Sequence, residues 1–118
     1  MNWIFDNDRP IYVQLVEQLE MDILSGNYPL GSKLPSVREL ADLLKVNPNT
    51  MQRAFLELEN KGLVFTKRTS GRFVTENKNL IDDLREEYAK KSVGAFKKSM
   101  QQLGFSEEEM LDHVKEKG

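Results

Sequence analysis

The sequence predicts a mainly α fold with a small β wing: a winged helix-turn-helix followed by a short C-terminal helical region. Three observations carry that expectation. Residues 46–62, VNPNTMQRAFLELENKG, open on turn-forming polar residues, settle into a helical rhythm and stop at a glycine. A shorter helical segment with its own capping signal, starting near Ser36, lies just before them. Two short apolar runs, 63–65 and 73–75, follow directly and flank the turn-rich basic tip KRTSGR. Two helices joined by a short turn and closed by a hairpin describe a winged helix-turn-helix.

Each element has a local reason. Residues 10–25 form a first helix, with Pro10 suited to the first turn. Tyr12, Leu15, Val16, Leu19 and Ile23 recur at three- and four-residue spacing and share one face. Gly26 supplies the stop. The loop YPLGSKLP follows, and its Lys33-Leu34 is placed to add a short strand to the hairpin. In the second helix Ser36 and Glu39 have capping-box spacing, and Val37, Leu40, Ala41 and Leu44 form the inner face. In the third, Asn47 is the N-cap and Pro48 takes the first helical position, where its missing amide costs nothing. Met51, Ala54, Phe55 and Leu58 fall at i, i+3, i+4 and i+7 and make its buried stripe, which ends before Gly62.

Composition narrows the function. The chain has 118 residues, 39% of them hydrophobic, enough for one small core. It has no cysteine, which excludes disulfides and thiolate metal sites and makes a cytoplasmic setting the simplest. The first ten residues, MNWIFDNDRP, have neither the basic nor the apolar region of a signal peptide, and no apolar run is long enough to span a membrane. One histidine, no cysteine and no phosphate-cradling loop argue against an enzyme; no catalytic residue, cofactor or metal is expected. His113 lies near Glu109 and Asp112, a pattern that a solvated helix produces as readily as a metal site.

The composition shifts at residues 76–79, so the expected domains are 1–77, the winged helix-turn-helix, and 78–118, a helical tail. Beyond the boundary Ile81, Leu84, Tyr88, Val93, Phe96, Met100 and Leu103 suggest one long amphipathic helix ending at Gly104, with Gly94 as a candidate kink. A last helix starts at Ser106, with Glu109 at capping-box spacing and Phe105 and Met110 placed for a hydrophobic staple. Leu84, Tyr88, Phe96, Met100 and Leu103 are too much apolar surface for one tail helix to leave wet, so the tail is expected to dimerise. Trp3 and Phe5 are expected to pack on the domain or on the dimer interface.

The polar side of the third helix points to nucleic acid. Asn49, Gln52 and Arg53 lie together away from the buried stripe, with Thr50 at its margin, and the core needs none of them. Asparagine and glutamine offer the donor–acceptor pair that suits adenine, and arginine can fork onto guanine or hold a phosphate. The net charge is only −2, but residues 44–73 hold six basic residues against two acidic ones. A local basic stretch can attract phosphates even in an acidic protein. At the wing tip Lys67, Arg68 and Arg72 supply charge, and Gly71 permits close approach.

The segment PIYVQLVEQLEMDILSGNYPLGSKLPSVRELADLLKVNPNTMQRAFLELENKGLV resembles the DNA-binding domain of the GntR family of bacterial transcription regulators. The matching features are the IY-Q opening, the G-YPLG-KLPS-REL block, the polar cap before the third helix and the L-E--GLV ending. VNPNT and the brief tail are most similar to the YtrA-like subfamily. The resemblance implies a cytoplasmic, homodimeric repressor on a palindromic operator in double-stranded DNA, often of its own operon and adjacent ABC-transporter genes. It implies DNA contacts at Arg38 and across positions 47–53, hence Asn47, Asn49, Thr50, Gln52 and Arg53. Ser36 is a cap first and a phosphate contact second. Pro48 and Gln52 stand where the family often has arginine, and Thr69 stands where the wing often has a first glycine. Base preference and tip flexibility are therefore expected to differ from those of other members.

Two rival readings remain at this point. A winged helix can serve protein–protein contact, but Asn49, Gln52 and Arg53 are more polar than such a face should be. An unidentified small-molecule effector binding between tail helices would make the protein an inducible sensor, though the aromatic and methionine stripe reads first as packing.

Overall fold

The structure is a computed structural model that describes residues 3–117. The element order is α1 (Ile11–Leu24), α2 (Val37–Leu44), α3 (Pro48–Asn60), β1 (Val64–Lys67), β2 (Gly71–Val74), α4 (Lys78–Gln102) and α5 (Glu107–Lys117). Contacts divide the chain between Asp82 and Asp83, inside α4. Ile81 is buried, which keeps the first turn of α4 with the N-terminal unit.

In that unit α1 packs on α3, α2 packs on α3, and the hairpin closes the other side of α3. Leu15, Leu19, Met51, Ala54, Phe55, Leu58, Leu63 and Val74 are fully excluded from solvent. The expected stripe of α3 is thus the centre of the core. The expected face of α1 is buried too, except that Tyr12 is only half-buried. Pro10 differs from expectation: with φ −56° and ψ 138° it is the N-cap, and the helix starts one residue later.

Caps set the ends of α2 and α3. The Ser36 hydroxyl accepts from the Glu39 amide at 3.0 Å, and the Glu39 carboxylate accepts from the Ser36 amide at 3.3 Å. The α2 helix ends on Lys45 at φ 57°, a left-handed residue that carries a side chain. The Asn47 side chain accepts from the Asn49 amide at 2.7 Å, and Pro48 opens α3. Gly62, at φ 79°, lets the chain turn from α3 into the hairpin.

The strands run further into the basic tip than the apolar runs suggested, because the turn itself needs only residues 68–70. The register is Val64↔Val74, Phe65↔Phe73, Thr66↔Arg72 and Lys67↔Gly71. The 33–34 segment joins as a single bridge: Lys33 pairs with Phe73, the Leu34 amide donates to Arg72 O at 2.9 Å, and the Val74 amide donates to Ser32 O at 2.9 Å.

Among the described residues no buried side-chain nitrogen or oxygen is left without a hydrogen-bond partner. Glu20 of α1 is buried and pairs with Lys61, at the C-terminal end of α3. Gln14 is buried and anchors the N-terminal segment: its Oε1 accepts from the Asp6 amide at 2.6 Å, and its Nε2 donates to Asp6 O and Arg9 O, both at 2.9 Å. Trp3 and Phe5 pair edge to face with centroids 6.4 Å apart and line an open pocket on α1.

In the C-terminal unit α4 runs through Gly94 without interruption, and Gly104 at φ 89° ends the segment after it. Ser106 and Glu109 form the second capping box, with hydrogen bonds of 3.0 and 3.2 Å. Met110 is buried and Phe105 half-buried, and the Phe105 ring meets His113 edge-on at 5.0 Å. Lys97 lies 3.6 Å from Glu107.

Three outcomes follow. Phe55→Ala, which empties the centre of the core, lowers unfolding free energy by about 3–5 kcal/mol in a denaturant melt. Lys45→Gly relieves a left-handed side chain and raises stability by about 0.5–1 kcal/mol in the same assay. The Ser106 amide, then its hydroxyl, hold the Glu109 carboxyl below the usual carboxylate range. A depressed carboxyl stabilises above its unfolded value and ceases to do so as pH falls through its folded one. The protection of the Ser106 amide from exchange, taken relative to its intrinsic rate at each pH, should therefore persist through the ordinary carboxylate range and fall only below it.

Candidate nucleic-acid interface

The α3 helix presents its polar side because its other side is wholly occupied. Asn49 and Arg53 are exposed, while Thr50 and Gln52 are half-buried at the edge of the stripe. Asn47 is exposed but spends its side-chain oxygen on the cap. Arg38 is exposed in the first turn of α2, and the hydroxyl of the exposed Ser36 serves the capping box.

Arg53 is held from a neighbouring helix. Its guanidinium carbon lies 4.1 Å from the centroid of the Tyr12 ring, and the Tyr12 hydroxyl donates to Glu57 Oε2 at 3.4 Å. The ring therefore stands between two residues that are one turn apart on α3. Sequence periodicity places Tyr12 on one face with Leu15, Val16, Leu19 and Ile23; it sits at the rim of that face, where an aromatic ring can touch a cation.

The hairpin has two faces of different character, as the pleat requires. One carries Val64, Val74, Thr66 and Arg72. Val64 and Val74 are buried, and beyond them Glu59 of α3 accepts from Thr66 Oγ1 at 2.6 Å and from Arg72 Nε at 3.0 Å. The Arg72 guanidinium also lies 5.2 Å from the Phe55 centroid. Of the expected wing cations, Arg72 thus ties the hairpin to α3.

The other face carries Phe65, Phe73, Lys67 and, across the bridge, Lys33. The two phenylalanine rings stack at 5.8 Å, and Lys67 Nζ lies 4.6 Å from the Phe73 centroid. Lys33 is exposed, and its Cε would lie 3.1 Å from a Cβ on Gly71, so glycine makes room for the lysine stem. Gly71, at φ 108°, also has a backbone that side chains rarely adopt. Arg68 and Thr69 are exposed in the turn. Sequence reasoning placed Lys33-Leu34 beside the hairpin but did not count Lys33 among the wing cations; pairing it opposite Phe73 would have put it on the Lys67 face.

In the C-terminal unit Leu84, Tyr88 and Met100 are half-buried, while Phe96 and Leu103 are 41% and 72% exposed. Val93, Leu111 and Val114 add exposed apolar surface. Among the described residues no group of three or more histidine, cysteine or acidic side chains is arranged to hold a metal ion, and no helix is long and apolar enough to cross a membrane.

Comparison with known proteins places this geometry. The family model for bacterial regulatory proteins of the gntR family matches residues 11–74. The chain is 40% identical over 111 residues to the HTH-type transcriptional regulator YhcF of Bacillus subtilis, covering 94% of this chain and 92% of that one. It is 46% identical over 68 residues to the HTH-type transcriptional repressor YtrA of Bacillus subtilis, covering 58% of this chain and about half, 52%, of that one. It is also similar to a GntR family transcriptional regulator of Listeria monocytogenes, with a TM-score of 0.88, 42% identity and coverage of 94% and 97% of the two chains. A matched winged fold, a family model over more than half of the chain and near-full-length regulator relatives agree: this chain belongs to the gntR family of bacterial regulatory proteins, as a helix-turn-helix transcriptional regulator and not an enzyme.

Proposed function

We propose that the protein is a homodimeric repressor that reads a near-palindromic operator, with residues 1–77 binding DNA and residues 78–118 joining the two copies. The observation that carries the reading is the division of α3: a fully buried stripe of Met51, Ala54, Phe55 and Leu58 behind an exposed Asn49 and Arg53. A capped helix so seated enters the major groove with its N-terminal half, and Asn49, Gln52 and Arg53 meet base edges there. Arg38, Ser36, Asn47 and Thr50 fix the register on the adjacent backbone.

The wing contributes charge along the backbone. Its outer face offers Lys67 and Lys33, and its turn offers Arg68, Thr69 and Gly71; Arg72 keeps that face at a set height over α3. Such contacts add affinity without reading sequence.

One module touches few base pairs, and two copies read half-sites about one helical turn apart. The apolar residues left exposed on α4, Val93 and Phe96, and Leu103 just after it, support pairing through the tail. The repressor name of the YtrA relative supports repression, and the resemblance to YtrA-like regulators suggests the protein's own operon and adjacent ABC-transporter genes as targets.

Selection of bound sequences from random DNA, with light scattering on the free protein, tests the reading. The expected result is a palindromic consensus and a dimer; a monomer, or equal affinity for selected and random duplexes, overturns it. On the selected site Arg53→Ala should cost about 1–3 kcal/mol and relax preference at one position of each half-site. Lys33→Ala and Lys67→Ala should each weaken binding to all sequences alike and lower the salt slope by about one per half-site.

A further inference from the structure

We infer that Tyr12 of α1 is a positioning residue for Arg53, holding its guanidinium in a DNA-reading pose before DNA arrives. The inference rests on the reading of Arg53 as a base or phosphate contact, and it adds a residue outside the helix-turn-helix pair to the recognition apparatus.

An exposed arginine is flexible. Its long side chain loses considerable rotamer freedom when it docks on one base, and that loss is subtracted from the contact. A side chain already confined in the free protein loses less. Arg53 has such a confinement: its guanidinium carbon is 4.1 Å from the Tyr12 centroid, well inside the range of a cation–π contact. The ring belongs to a rigid support. It projects from the first turn of α1, between the N-cap Pro10 and the fully buried Leu15. Its hydroxyl is fastened to Glu57, one turn beyond Arg53 on the same face of α3.

The chemistry of the contact leaves the donors available. A ring attracts the face of the guanidinium plane, whereas the N–H groups that fork onto guanine or phosphate point outward in that plane. Stacking and base reading therefore use different parts of one group and need not compete. The Tyr12 hydroxyl meanwhile engages the Glu57 carboxylate, the acid that an i, i+4 arrangement would otherwise bring onto the arginine. A lysine at position 53 could still sit over the ring, but without the planar fork it could not offer one part of the group to the ring and another to a base.

The test is a double-mutant cycle in DNA binding, using the full chain and a duplex selected by the wild-type protein. Tyr12→Leu should lower specific affinity about threefold to tenfold when Arg53 is present and have no effect in the Arg53→Ala background. Tyr12→Phe, which keeps the ring but frees Glu57, should lose less affinity than Tyr12→Leu, and a loss as large as that of Tyr12→Leu would overturn the role of the ring. Equal losses from Tyr12→Leu in both backgrounds would show that the ring acts by itself or through folding, and overturn the inference. A loss with Arg53→Ala but none with Tyr12→Leu overturns the positioning role alone; no loss with Arg53→Ala overturns the contact reading beneath it. A measurement on the unmodified protein stands apart from any folding defect: the Arg53 side-chain protons should show upfield NMR shifts from the ring, and random-coil shifts would refute the pose.

Discussion

The seating of α3 is the constraint on which the rest of the molecule depends. Met51, Ala54, Phe55 and Leu58 have no exposed surface, so the helix has no freedom to roll about its axis. A rotation that exposed one of them would carry a cost of a few kcal/mol, which is a large part of the stability of a small domain. The opposite face is fixed by the same packing. Asn49 and Arg53 point to solvent because the core leaves them no other direction. In this fold the hydrophobic effect does the aiming, and the polar groups supply only the chemistry at the end of the aimed element.

The same helix also sets the wing. Glu59, in the last turn of α3, takes a hydroxyl from β1 and a guanidinium from β2, so both strands are referred to the helix proposed to read DNA. These groups are partly shielded: the side chains of Arg72 and Glu59 are 20% and 25% exposed. A pair so placed is worth more than a fully solvated one, and its geometry is shared among three residues. The result is a division of labour between the two faces of a hairpin of four-residue strands. Thr66 and Arg72 face inward and locate the hairpin; Phe65, Phe73, Lys67 and Lys33 face outward and carry its charge.

Local rules made much of this legible in the sequence. Capping boxes at Ser36 and Ser106, the Asn47-Pro48 start of α3 and the glycines at 62 and 104 are short-range signals, and each works within one helical turn. Helical periodicity likewise exposed the core stripe of α3. What the sequence hid are the contacts between elements. Tyr12 and Arg53 are 41 positions apart, and no spacing rule links a residue on the rim of α1 to a cation on α3. Arg72 has the composition of a wing-tip cation and the position of a tie, and only the strand register separates the two. Lys33 needed the bridge to Phe73 before its charge could be assigned to a face.

Charge places a further demand on the arrangement. The protein carries a net charge of −2, so its overall field does not draw it to DNA. At physiological ionic strength exposed charges are screened over about 8 Å, and what a phosphate senses is the local patch. Lys33, Lys67 and Arg68 on one edge of the wing satisfy that requirement at short range, with no need for a basic protein. Such a patch gives little pull from afar. On the proposed reading, affinity comes from close fit at base edges and from two copies acting together, and weak non-specific attraction is then an advantage, because it leaves the genome's other sites less competitive.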